Sequence, residues 1–163
     1  MNITVLGCGR WGSFLAYYHA QKHDVCLYGR TDSRAYAQLC ETNENRYLTL
    51  PPSVQLTDNL AKALGFSDII VISISAQQLR QLLCEIKTHD VKGKTFILCM
   101  KGIEAGSGLR LSQVVEQELG GEVNLAVWVG PGHVQDFVAG VPNCMVIDSA
   151  NPQTVDFIVE TVN

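Results

Sequence analysis

The stretch that most restricts this chain is Asp68-Ile69-Ile70-Val71-Ile72-Ser73-Ile74. It holds four successive β-branched residues and no polar face, so a strand here must be covered on both sides, as in the middle of a parallel sheet. Parallel strands need crossover connections, usually helices, and the flanking sequence supplies them. Residues 3–6, 25–28, 95–100, 124–129 and 144–147 read as further strands, and helical spacing occupies 11–21, 33–41, 77–87 and 109–119. Within 77–87, Leu79, Leu82, Leu83 and Ile86 recur at i, i+3, i+4 and i+7, with Ser75 placed to cap. Thr57-Asp58-Asn59 offers an N-cap for a short helix through Leu64, and Pro51-Pro52 puts residues 43–52 in a loop. Such alternation predicts an α/β fold, a doubly wound and mainly parallel sheet with right-handed crossovers.

Between the first strand and the first helix stands Gly7-Cys8-Gly9-Arg10-Trp11-Gly12, a G-x-G-x-x-G turn in the context that gives it meaning. Gly7 permits the tight turn, Gly9 lets a pyrophosphate approach the backbone, and Gly12 lets helix and strand pack closely; free N–H groups at the helix start then bind the anion. The expectation is a Rossmann-type dinucleotide-binding domain. An NAD site usually carries an acid about 20 residues on, at the end of strand two, for the ribose 2′-hydroxyl. Here the strand ends Leu27-Tyr28-Gly29-Arg30, and Arg30 lies 18 residues beyond Gly12. Its guanidinium can pair with a 2′-phosphate or stack on adenine, which favours NADP over NAD. Asp32 follows as an alternative 2′-hydroxyl acceptor.

Composition narrows the partners. With 12 Lys and Arg against 16 Asp and Glu, the net charge of −4 argues against nucleic acid or an anionic membrane surface found by charge alone. The aliphatic run 69–72 falls far short of the roughly 20 residues that span a bilayer, so no membrane insertion is expected. Met1 leads directly into a strand rather than a basic and then apolar leader, so a cytoplasmic location is expected. The 6 cysteines form no C-x-x-C pair and read as small buried residues. His19 and His23 stand at i, i+4 near the end of the first helix but have no third ligand, so they read as surface histidines and no metal site is expected. Trp128 reads as core, and Glu104 as ordering its loop.

Residues 1–150 are expected to form the dinucleotide-binding domain. Asn151-Pro152 reads as N-cap and first turn of another helix, with Val155, Ile158, Val159 and Val162 on one face. Residues 151–163 are therefore read as the start of a helix leading to a further, helical substrate domain outside the 163 residues.

Several landmarks recur in order: the glycine turn with Leu15-Ala16, Tyr28-Gly29-Arg30, Asn45-Arg46-Tyr47-Leu48, Ser75-Ala76-Gln77-Gln78-Leu79-Arg80, Lys101-Gly102-Ile103-Glu104, and Gly130-Pro131-Gly132-His133 with Gly140-Val141-Pro142. Together they resemble the N-terminal nucleotide-binding domain of bacterial NAD(P)-dependent glycerol-3-phosphate dehydrogenases. The resemblance implies reversible hydride transfer between NAD(P)H and dihydroxyacetone phosphate, a small phosphorylated substrate, giving sn-glycerol 3-phosphate for phospholipid synthesis. It implies that Arg10, Trp11 and Arg30 line the dinucleotide. It puts Lys101 between nicotinamide and substrate, Gly130 and Gly132 beside the substrate, and Val134 near the cofactor. Lys101 also has an independent argument: it follows a strand, hence lies at a carboxyl edge of the sheet, where an ammonium can polarise a carbonyl or steer a phosphate.

The chain departs from the family's pattern where Arg10 replaces a common Ser, Gly132 a Ser or Thr, and Val134 an Ala, and in a shorter loop at 45–52. The family's general-acid lysine, in a K-N-x-x-A-like helical motif, has no counterpart within the 163 residues. Loss of a positioned proton donor costs about 10²–10⁴ in rate, so these residues alone are expected to bind cofactor but turn over poorly. A non-catalytic NAD(P)-binding or sensing domain is the alternative. A ketopantoate-type reductase is disfavoured by Lys101-Gly102-Ile103-Glu104 and the Gly-Pro loop. Oligomeric state is left open, a homo-oligomer included.

Overall fold

The computed structural model describes residues 1–162. Seven strands, β1 (Asn2–Leu6), β2 (Asp24–Tyr28), β3 (Gln55–Thr57), β4 (Ile69–Ile72), β5 (Thr95–Leu98), β6 (Asn124–Val129) and β7 (Val146–Asp148), form one sheet in the order β3-β2-β1-β4-β5-β6-β7. The first six run parallel, and β7 closes the edge antiparallel to β6. Strand order reverses between β1 and β4. There the chain crosses from one half of the sheet to the other and leaves a crevice at the carboxyl ends.

Period-two alternation sends neighbouring side chains to opposite faces and builds two cores. On one face Ile3, Val5, Val25, Leu27, Val71, Ile97 and Trp128 pack against α1 (Arg10–His19) and α7 (Pro152–Val162), with Leu39 of α2 (Arg34–Thr42) and Val134 of α6 (Val134–Val138). On the other, Leu6, Cys26, Ile70, Ile72, Phe96 and Leu98 meet α3 (Leu60–Phe66), α4 (Leu79–Ile86) and α5 (Leu111–Leu119). Buried hydroxyls find carbonyl partners: Thr4 Oγ1 donates to Ala63 O at 2.8 Å and Ser67 Oγ to Asn2 O at 2.6 Å, which ties α3 and the approach to β4 onto β1.

Helix ends follow their local chemistry. Ser33 and Asn59 cap α2 and α3 by accepting from Tyr36 N and Lys62 N, while Asn43 ends α2 with φ +56°, the left-handed region. Ser75 makes no side-chain cap; a 3₁₀ turn over Ala76–Gln78 leads into α4 instead. The strand β3 and the short helix α6 add to the elements read from sequence. Helix α7 also packs differently from its apolar pattern. Thr154, Ile158 and Thr161 are buried and Val155 and Val162 half-buried, while Val159 faces outward, 39% exposed. His19 belongs to the core rather than the surface: it is 2% exposed, with rings of Tyr18, His23 and Trp128 around it. Among the described residues no helix is long and apolar enough to cross a membrane, and no group of three or more His, Cys, Asp or Glu could hold a metal ion.

Candidate functional site

The carboxyl ends of β1, β2 and β4 open onto a cleft of about 470 Å³ lined by the glycine turn, by Tyr28, Gly29, Arg30 and Asp32 after β2, and by Ser73 to Ser75 after β4. Backbone hydrogen bonds lock these ends in register. Gly7 N donates to Tyr28 O at 2.9 Å, Ser73 N to Leu6 O at 2.8 Å, and Gly29 N to Thr57 O at 3.1 Å. The side chain of Ser13, buried in α1, donates to Cys8 O at 3.0 Å and fixes the turn from the helix side.

Three glycines of the turn serve three different needs. Gly7 has φ +113°, and a Cβ there would lie 2.2 Å from Ser73 O. A Cβ on Gly12 would lie 1.8 Å from Gly7 O, so α1 can approach β1 only without one. Gly9 is in ordinary extended conformation and a Cβ would meet nothing within 4 Å. Packing does not demand glycine at Gly9, and the lack of a side chain leaves its backbone open toward the cleft. Gly9 is also the N-cap of α1, and no side chain caps the helix there. The first amides of α1 therefore keep their donor capacity at the positive end of the helix dipole. Open backbone, unclaimed amides and a crevice at the strand-order reversal together fit a diphosphate.

The other residues predicted from sequence distribute around this centre. Arg30 lines the cleft and pairs with Asp32 at 3.2 Å. Arg10 stands outside the cleft lining, with its guanidinium 5.4 Å from the Tyr47 ring centre; Arg46 approaches the same ring to 4.6 Å. Trp11 is turned into an aromatic cluster, 5.3 Å from Phe14 and 5.7 Å from Phe137 between ring centres. Val134 is buried in the core.

Lys101 follows β5 on the same sheet edge, but it lines a neighbouring groove of about 1020 Å³ between α5 and the β6–β7 face. Its loop is strapped to the start of α4. Gln77 Nε2 donates to Ile103 O at 2.9 Å and Gln77 Oε1 accepts from Ala105 N at 2.7 Å. Arg80 grips Glu104 through two hydrogen bonds of 2.7 and 2.8 Å and reaches Glu118 of α5 at 2.6 Å. The Arg80 guanidinium, with the Ser107 hydroxyl, holds the Glu104 carboxyl down at about 2. In the sequence Arg80 stands 24 residues before Glu104 and 38 before Glu118, separations that do not reveal either pairing. Gly130 and Gly132 lie beyond β6. A Cβ on Gly132 would come within 2.2 Å of Phe137 Cε2, and one on Gly130 within 2.6 Å of Met145 Sδ. This loop is thus packed around the lack of side chains at both positions.

Residues 2–155 match the family model described as NAD-dependent glycerol-3-phosphate dehydrogenase N-terminus. The glycerol-3-phosphate dehydrogenase [NAD(P)+] of Pelodictyon phaeoclathratiforme is 35% identical over 166 residues, which cover 98% of this chain and 50% of that protein. The enzyme of the same name from Thioalkalivibrio sulfidiphilus is 33% identical over 163 residues, 97% of this chain and 49% of that protein. The crystal structure of a glycerol-3-phosphate dehydrogenase from Coxiella burnetii superposes with a TM-score of 0.88 at 25% identity, over 99% of this chain and 50% of that one. The chain spans about half the length of the curated relatives it matches.

Proposed function

This chain belongs to the family of NAD-dependent glycerol-3-phosphate dehydrogenase N-terminal domains, and from that premise we propose that it binds NADH or NADPH as the nucleotide-binding half of a glycerol-3-phosphate dehydrogenase. The observation that carries the reading is the glycine turn: an uncapped α1 N-terminus beside Gly9, whose Cβ direction is open, at the point where strand order reverses. When bound, NAD(P)H supplies the hydride that converts dihydroxyacetone phosphate to glycerol 3-phosphate. The chain's own task is to fix the diphosphate on the amides that open α1 and to hold the adenosine end near Arg30 and Asp32. Gly7 and Gly12 act indirectly, by keeping the turn tight and the helix close.

Lys101 is the group proposed to meet the substrate. An ammonium at the carboxyl edge of β5 stabilises charge developing on a carbonyl oxygen or attracts a phosphate. The strap from Gln77 and Arg80 keeps the following residues, Ile103 to Ala105, in one arrangement. Gly130 and Gly132 are proposed to border the substrate, and Arg10, Trp11 and Val134 to act from behind the dinucleotide by packing and charge. Residues 1–150 are proposed as the nucleotide-binding unit, with 151–163 leading toward substrate-binding elements of the kind the relatives carry. A cytoplasmic location and a small phosphorylated partner belong to the same reading.

One observation favours a second reading, a cofactor-binding domain without chemistry. At Gly132 the space a hydroxyl-bearing side chain would need is filled by Phe137. A single titration addresses both readings. NADH fluorescence should saturate with a dissociation constant below about 1 mM, the ordinary upper range for enzyme ligands. Adding dihydroxyacetone phosphate should then consume NADH slowly, on the order of 10²–10⁴ below a complete enzyme that positions a proton donor. Failure of NADH and NADPH alike to bind at millimolar concentration would refute the proposal, whereas binding with no NADH consumption would favour the second reading.

A further inference from the structure

Resting on that nucleotide reading, we infer that Asp32, through its pair with Arg30, makes the adenosine end of the cleft select a ribose 2′-hydroxyl over a 2′-phosphate, and so NADH over NADPH. An arginine at the end of β2 taken alone points to the phosphate. The structure, however, gives that arginine a partner. Arg30 Nε lies 3.2 Å from Asp32 Oδ1, and Nη2 donates to Oδ2 at 3.2 Å, so the fork of the guanidinium meets both carboxylate oxygens. Two of the five N–H donors are turned to Asp32, and the pair is close to neutral, which lowers its pull on a phosphate.

The surroundings do not restore a positive field. Among the described residues that line the cleft, the charged ones are Arg30, Asp32 and Glu85, one cation against two anions. A further carboxylate, Asp58, is held at this edge by the Thr31 hydroxyl at 3.3 Å. Arg34, at the start of α2, is exposed and outside the lining. The phenol of Tyr28, at the end of β2, registers the same balance: burial raises it first, and Glu85, Asp58 and Asp32 add to the rise while Arg30 opposes it. A 2′-phosphate brings about −1.5 to −2 charge near neutral pH and would enter beside these carboxylates. A 2′-hydroxyl is neutral and can donate to Asp32, leaving the flat guanidinium free to stack on the base.

The test is the pair of dissociation constants for NADH and NADPH, measured by fluorescence titration on the wild-type chain and on Asp32→Asn and Asp32→Glu. Asp32 is 72% exposed along its side chain, so both variants should fold, which an unchanged melting temperature checks. The wild type should bind NADH at least about tenfold more tightly than NADPH, the scale of one charge-assisted hydrogen bond. Asp32→Asn should shift the ratio at least about tenfold toward NADPH, and Asp32→Glu should keep the wild-type preference. A wild type that prefers NADPH, or an Asp32→Asn ratio equal to wild type, overturns the inference while leaving nucleotide binding intact. Failure to bind either nucleotide overturns the nucleotide reading and this inference with it.

Discussion

Gly12→Ala should destabilise the protein by about 3 kcal/mol, the upper range for forcing an atom into packed backbone, and should lower nucleotide affinity as α1 is displaced. Its Cβ would sit 1.8 Å from the Gly7 carbonyl oxygen and 3.5 Å from Ser73 Cβ. Neither the carbonyl nor the helix can give way without moving the turn. Gly9→Ala should do the reverse. Its Cβ meets nothing within 4 Å and its φ of −70° suits any residue, so the loss should stay within about 1 kcal/mol, the ordinary N-cap difference. Its methyl group would, however, stand on the path proposed for the diphosphate, and affinity for NADH should fall at least about tenfold. Thermal melts and NADH titrations of the two variants check this. Equal effects of both on stability, or an unchanged NADH constant in Gly9→Ala, would contradict the roles assigned to the turn.

Acidification should weaken the fold through His19. Burial, and secondarily the charge of His23, lower its pKa from 6.5 to about 4, and its Nε2 has no hydrogen-bond partner. Between those values the unfolded chain binds the proton and the folded one does not, so stability falls as pH drops through 6.5 toward 4. Above 6.5 this effect vanishes; below 4 it levels off at about 3 kcal/mol, from 1.36 kcal/mol per pKa unit. Glu104 and Glu118 act lower. Their salt bridges depress their carboxyls below 4.5, so their contribution is lost only under more acid conditions. Urea denaturation at pH 7, 6 and 5 should show stability falling in the wild type and nearly constant in His19→Gln. Parallel curves for the two proteins would assign the pH dependence elsewhere.

How much of this was legible in the sequence depended on element length and on which partners a residue meets. The doubly apolar run 69–72 gave the central strand, because only burial on both faces accommodates it, and the other long strands followed by alternation. The strand β3 is three residues at the sheet edge with one fully buried position, too short for a pattern. Helix α6 has five residues, little more than one turn. The burial of His19 is not legible because i, i+4 spacing describes a helix without saying what lies across from it; Trp128 of β6 packs there. In the site, the tight turn at Gly7 and the close helix approach at Gly12 are readable, since that geometry is local. Trp11 is not: its direction is set by Phe14 and by Phe137, more than a hundred residues away. Arg30 could be found at the end of β2, but the geometry of its pair with Asp32 depends on the path of the chain between Gly29 and Ser33. The grip of Arg80 on Glu104 and Glu118 joins three separate elements and left no trace in spacing.

The central claim is that the amides opening α1 bind the diphosphate of a nicotinamide dinucleotide, and amide-resolved NMR tests it most directly. Titrating NADH into the ¹⁵N-labelled chain should shift the amide signals of Gly9, Arg10 and Trp11 together, saturably and with one dissociation constant. The amide of Thr161 in α7, whose hydroxyl meets Met1 Sδ at the amino end of β1, away from the cleft, should stay in place. No shift at the glycine turn, or saturable shifts confined to the groove between α5 and β6–β7, would contradict it.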